Sequence, residues 1–278
     1  MDFKKPLVHV PDSAITHPVR AVYYPTADGG MRLARIEQFS RPMFREDGWE
    51  GDPIPKPSVC VPGDEDIVAR ARDNLRRAVR RAKQNGFDLI MCNPEINLFA
   101  TLTYSPEAVE DKSDYKECYK YLHTFFSNRV QRRGLKYVCA PELTKAGDVH
   151  FHFLCNAAGV GELRPAISPY TGRALMKRGK ALYNLAEWTR GFSTAEFIEE
   201  APDGGDAYER VAKYIFKYIG KDLNNKIGGR YLLTGGALRR PAYMYAEDAR
   251  EFSTASPVRY EKNVEITPGL TFSAQYYI

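Results

Sequence analysis

Residues 140–155 (APELTKAGDVHFHFLC) constrain this chain more than any other stretch. Two short apolar runs flank Lys145-Ala146-Gly147. That composition suits a three-residue hairpin loop with glycine at the left-handed position. If Thr144 pairs with Asp148, Leu143 pairs with Val149 and Glu142 faces His150. Side chains alternate along a strand, so His150 and His152 share one face while Phe151 and Phe153 take the other. One carboxylate and two imidazoles then converge on one spot of a sheet. They form a ligand set for a divalent cation, with positions left open for water or substrate. An isolated His-x-His pair is more often two half-exposed strand residues; the facing glutamate makes this one a candidate site.

A second stretch, residues 208–223 (YERVAKYIFKYIGKDL), reads as a helix. At about 100° per residue, Val211, Ala212, Ile215, Ile219 and Leu223 fall on one apolar arc. Tyr214, Lys217, Tyr218 and Lys221 fall on a separate stripe. Two tyrosines one turn apart, each followed three residues later by a lysine, line one polar edge. Alone, this pattern is an amphipathic helix with tyrosines at the core margin and solvated lysines. Beside the histidine hairpin it gains a chemical reading.

The combination resembles the HUH superfamily of rolling-circle replication initiators, in its two-tyrosine, phage- and plasmid-like form. His150-Phe151-His152 is similar to the family's His-hydrophobic-His motif, and residues 214–221 (YIFKYIGK) to its nucleophile motif. Residues 99–104 (FATLTY) are similar to its first motif, an apolar strand ending in a TLT-like run. The order of TLT strand, His-hydrophobic-His and tyrosine helix is that of replication initiators. Residues 229–241 also resemble a tail seen in plasmid and phage members. The resemblance covers roughly residues 67–245, and is strong at the motifs and vague between them.

The resemblance implies an α+β fold: a ferredoxin-like, RRM-like antiparallel sheet of five strands with helices on one face. It implies a metal-dependent, site-specific single-stranded DNA endonuclease and strand transferase. Such an enzyme nicks and rejoins DNA at an origin through a 5′-phosphotyrosine intermediate. Glu142, His150 and His152 would hold Mg²⁺ or Mn²⁺, and the nitrogen ligands tilt the choice toward Mn²⁺. Tyr214 and Tyr218 would act as alternating nucleophiles, or one of them alone would. Tyrosine, with a reference pKa of about 10, is a poor nucleophile at neutral pH without help. Lys217 and Lys221 are placed to hold phosphate oxygens or to lower a tyrosine pKa. The readings that compete are an HUH transposase and an RRM-like protein that binds origins or other nucleic acid without cleaving it.

Composition sets the remaining bounds. The 278 residues suit one sizeable domain with decorations, and a hydrophobic fraction of 44% supports an ordered core. A net charge of +5 permits nucleic-acid binding. Five widely spaced cysteines without a CxxC argue against a disulfide framework and fit a reducing bacterial cytoplasm. Neither a membrane span nor a signal-peptide core is expected. No GxxxxGK[ST] occurs, so a host helicase and DNA polymerase are the expected partners at the single-stranded origin.

Residues 1–64 are proline-rich and read as an irregular arm or small β appendage, with extended segments at 19–24 and 31–39 and with His9 and His17 exposed. Residues 64–85 read as a helix that Gly86 stops. Its Arg76, Arg77, Arg80 and Arg81 form either a solvated face or a phosphate-contacting one. Residues 97–104 read as a buried strand whose Thr101 and Thr103 pair across the sheet or face the site. Residues 113–133 read as a helix capped by Ser113 and ended by Gly134, with Arg129, Arg132 and Arg133 a second basic cluster. Short strands and a loop are expected over 159–193 and a strand over 191–198. Arg239 and Arg240 form a basic corner. Residues 65–245 are thus the expected endonuclease domain, and 246–278 a peripheral extension.

Overall fold

The computed structural model describes residues 17–44, 64–198 and 230–277, apart from 27, 169, 178 and 253–255. Its elements in chain order are β1 (Val19–Pro25), β2 (Met31–Phe39), α1 (Asp64–Met91), β3 (Leu98–Thr103), α2 (Tyr115–Arg133), β4 (Tyr137–Leu143) and β5 (Val149–Cys155). There follow α3 (Ala157–Val160), β6 (Leu163–Pro165), β7 (Met176–Lys177), β8 (Lys180–Ala181), β9 (Tyr183–Leu185) and β10 (Ser193–Phe197). Last come β11 (Leu233–Gly235), β12 (Ala242–Ala246), β13 (Tyr260–Thr267) and β14 (Leu270–Tyr276). By contacts the chain divides into two units, Leu75–Arg239 and Met1–Asn74 with Arg240–Ile278.

The unit Leu75–Arg239 is built on an antiparallel sheet in the order β11-β4-β5-β3-β10-β9-β6. The fold class is therefore the α+β, mostly antiparallel one expected. Seven strands are present where five were expected, because β9 and β6 extend the edge beyond β10. The helices also differ from expectation, since they serve both faces. Cys118, Leu122, Phe125 and Phe126 of α2 pack with Leu98, Ala100, Leu102, Phe151 and Phe153. Val79, Leu89 and Ile90 of α1 pack with Phe99, Val138, Ala140 and Leu154 on the opposite face.

Helix boundaries shifted for physical reasons. α1 runs through Gly86 to Met91 instead of stopping. A glycine inside a helix costs about 1 kcal/mol. Burying Leu89 and Ile90 one turn further on returns about 1.5–3 kcal/mol each. α2 starts at Tyr115, and its cap is Asp114, not Ser113: the Asp114 carboxylate accepts the Lys116 N–H. Ser113 is instead tied to the Asp111 side chain. Gly134 ends the helix in the left-handed conformation, as expected.

In the other unit a five-stranded antiparallel sheet runs β12-β1-β2-β14-β13. The sequence treats 1–64 and 246–278 as unrelated appendages, yet the β1–β2 hairpin is flanked by β12 on one side and β14 on the other. Val19, Ala21, Ile36, Ala246 and Phe252 form a small core there. His17, expected to be exposed, is half-buried: its Nδ1 lies 3.1 Å from Glu247 Oε1 and its ring stacks on Tyr245. His9 lies outside the described residues.

Candidate functional site

The hairpin of β4 and β5 has the register that residues 140–155 predict. The Thr144 N–H donates to Asp148 O, Leu143 pairs with Val149, and Glu142 pairs with His150. Gly147 takes φ 90° at the turn. On the other side of β5, Thr103 pairs with His150 and Thr101 with His152. Paired residues share a face, so Glu142, His150, His152, Thr101 and Thr103 all lie on the face that carries Phe99, Leu154 and the C-terminal half of α1.

His152 is held on several sides. Its Nε2 lies 2.8 Å from Glu142 Oε2 and its Nδ1 lies 3.0 Å from Thr101 Oγ1. Its ring stacks on Phe99 at 6.1 Å between centroids. An ionised carboxylate only accepts, so Nε2 carries the proton toward Glu142 and Nδ1 of the neutral ring accepts from the Thr101 hydroxyl. The His150 ring centroid is 6.4 Å from that of His152. Burial lowers the pKa of His150, opposed by the charges of Glu142 and Asp148, so the imidazole is biased to its neutral, ligand-competent form. The Lys112 ammonium, 2.7 Å from Asp148 Oδ2, acts in the same direction as burial.

The donor chemistry, one carboxylate and two neutral imidazoles, suits a divalent cation. Among the described residues, however, no three His, Cys, Asp or Glu side chains are spaced to enclose a metal. The reason is local: Glu142 and His152 are hydrogen-bonded to each other, and a cation between them would take the place of the shared proton. Thr101 is the site residue that the sequence underweighted. Its pairing across the sheet was legible from the alternation of 99–104, but its bond to His152 follows only from the register of β3 on β5.

Residues 97–223 match a family of replication-associated proteins, described as the ORF2 type. That span takes in β3, α2, the β4–β5 hairpin and the stretch with Tyr214 and Tyr218, and it supports a role in initiating replication. No curated protein and no solved structure matches the chain.

The other expected site residues are distributed as follows. Tyr214, Lys217, Tyr218 and Lys221 lie outside the described residues. Arg76, Arg77, Arg80 and Arg81 are on the exposed side of α1, and burial followed by the Arg77 charge lowers the pKa of Arg81. Arg132 is exposed, whereas Arg133 bonds Glu187 at 2.8 Å. Arg239 bonds Glu95 at 2.7 Å, and Arg240 is exposed. Arg129 does not belong to a basic surface cluster. It is 7% exposed and donates to Val160 O, Phe125 O and Glu187. Among the described residues no helix is long and apolar enough to cross a membrane. Cys92, Cys118, Cys139 and Cys155 are buried and unbridged; burial pushes the Cys118 thiol up to about 12.

Proposed function

We propose that this protein initiates rolling-circle replication by nicking and rejoining single-stranded DNA at an origin through a 5′-phosphotyrosine intermediate. The observation that carries the proposal is the meeting of Glu142, His150 and His152 on one sheet face, within the stretch matched to replication-associated proteins.

In the proposed reaction a tyrosine hydroxyl, of Tyr214 or Tyr218, attacks phosphorus and loses its proton. The bond from phosphorus to the 3′ oxygen breaks, that oxygen leaves as a hydroxyl, and the 5′ phosphate stays on the tyrosine. The bond energy is kept, so a 3′ hydroxyl can attack the phosphotyrosine and reseal the strand without ATP. Glu142, His150 and His152 would hold Mg²⁺ or Mn²⁺, which when bound supplies charge neutralisation at the scissile phosphate. Thr101 fixes the His152 ring, and its hydroxyl supports either tautomer because it both donates and accepts. Lys217 and Lys221 are assigned to phosphate oxygens and to the ionisation of the tyrosines. With two nucleophiles, one nicks the origin and the other attacks the junction regenerated after a round of copying. A host helicase and polymerase would supply unwinding and synthesis.

A covalent-adduct assay tests this. The protein is incubated with Mn²⁺ and labelled single strands tiled from its own replicon, beside Tyr214→Phe, Tyr218→Phe and the double variant. A denaturation-stable protein–DNA band that survives each single change and disappears in the double is the expected result. Loss in one single variant would leave one working tyrosine. Absence of any band with DNA binding intact would leave an origin-binding protein.

A further inference from the structure

Residues 163–186 contain Arg164, Arg173, Lys177, Arg178 and Lys180 and no Asp or Glu. Those five cations equal the formal excess of +5 carried by the whole chain, so the basic character of the protein is concentrated here. The stretch forms an arm at the β9–β6 edge of the sheet. Ile167 bridges Ala174, and the Ser168 N–H donates to Arg173 O. The Ser168 hydroxyl accepts the N–H groups of Tyr170 and Thr171, which makes a tight tip closed by Gly172 at φ 66°. Tyr170 sits on that tip with 95% of its surface exposed. Arg173 makes no side-chain ion pair among the described residues. Further along, β7 and β8 place Lys177 directly opposite Lys180. Like charges facing across a hairpin repel, and an anion between them relieves the repulsion.

The arm is fastened to the face that bears the site. Lys177 Nζ bonds Glu196 Oε1 at 2.5 Å, and Glu196 pairs with Phe99, the ring on which His152 stacks. We propose that this arm is a contact for single-stranded DNA next to the strand-transfer site: Arg173 and Lys180 bind phosphates and Tyr170 stacks on an unpaired base. A fully exposed aromatic at the tip of a cationic arm is the composition of a stacking platform for single strands. The inference rests on the function proposed above, so binding and adduct formation are measured separately.

Binding of a fluorescent single strand is followed by anisotropy in EDTA over a salt series, for wild type, Tyr170→Ala, Tyr170→Phe and Arg173→Ala/Lys180→Ala. Tyr170→Ala should weaken single-strand binding roughly 5- to 100-fold, the loss of one stacked base. Tyr170→Phe should restore it, and a duplex of the same sequence should not sense the change. The double charge variant should lower the slope of log Kd against log salt by roughly 1.4, about 0.7 for each phosphate contact. All these side chains lie on the surface, so thermal unfolding should be unchanged. Equal affinity and slope in the variants would overturn the inference even if the wild-type adduct forms. Loss of binding in Tyr170→Ala without any wild-type adduct would retain the arm and sink the nuclease.

Discussion

Thr101 is the side chain on which the state of His152 turns. Its hydroxyl, 3.0 Å from Nδ1, can donate when Nε2 carries the proton and accept when Nε2 is given to a cation. Thr101→Val keeps the shape and removes that bond. The expected outcome is a 10- to 100-fold weaker Mn²⁺ affinity by calorimetry, on the order usual for such supporting groups, with little change in melting temperature. A second residue-scale prediction concerns Glu37. Burial opposes its ionisation, but the guanidinium groups of Arg35 and Arg20 win and hold the carboxyl below its ordinary 4.5. Arg35, also bonded to the Tyr24 hydroxyl, is buried as well. Glu37→Gln leaves that cation uncompensated and should cost about 3–5 kcal/mol in urea unfolding. The folded pKa is depressed, so this stability is fully present above the ordinary carboxylate value and is lost as pH falls through the folded one. Wild-type stability should therefore drop more steeply than that of Glu37→Gln below about pH 4.5.

At the scale of elements, the hairpin and its neighbour strand depend on glycine in different ways. Gly147 turns the β4–β5 hairpin with open space around it, so Gly147→Ala meets only the backbone penalty of the left-handed region, about 1–2 kcal/mol. Gly191 leads into β10 at φ 146°, and an added Cβ would sit 2.3 Å from Thr103 O. Gly191→Ala must push β10 away from β3, whose Thr103 N–H donates to Phe192 O. Its unfolding midpoint should fall well below that of Gly147→Ala in the same urea titration; equal midpoints would refute the close approach. The hairpin itself was readable because everything that sets it is local: turn glycine, alternation and length. The same holds for β1, β2 and the start of α1. The end of α1 was not, because Leu89 and Ile90 find their partners on β3, β4 and β5, and no local signal at Gly86 reports that.

For the whole molecule, chelation should separate the two activities proposed here. EDTA should abolish the covalent adduct while leaving single-strand binding measured by anisotropy within about twofold, because the cationic arm and α1 need no metal. A parallel loss of both would place the metal in binding instead of catalysis. The sequence by itself determined the α+β class, the β4–β5 register and the face shared by Glu142, His150 and His152, since periodicity and turn chemistry act between near neighbours. Tertiary structure alone decided the rest. It placed Thr101 on His152, because that needs β3 beside β5. It buried Arg129, which from composition looked like surface charge, against Glu187 and the Val160 carbonyl. It joined the N-terminal β1–β2 hairpin to β12 and β14 in one sheet, because pairing between strands some 200 residues apart depends on which edges meet in space, and a local pattern carries no record of that.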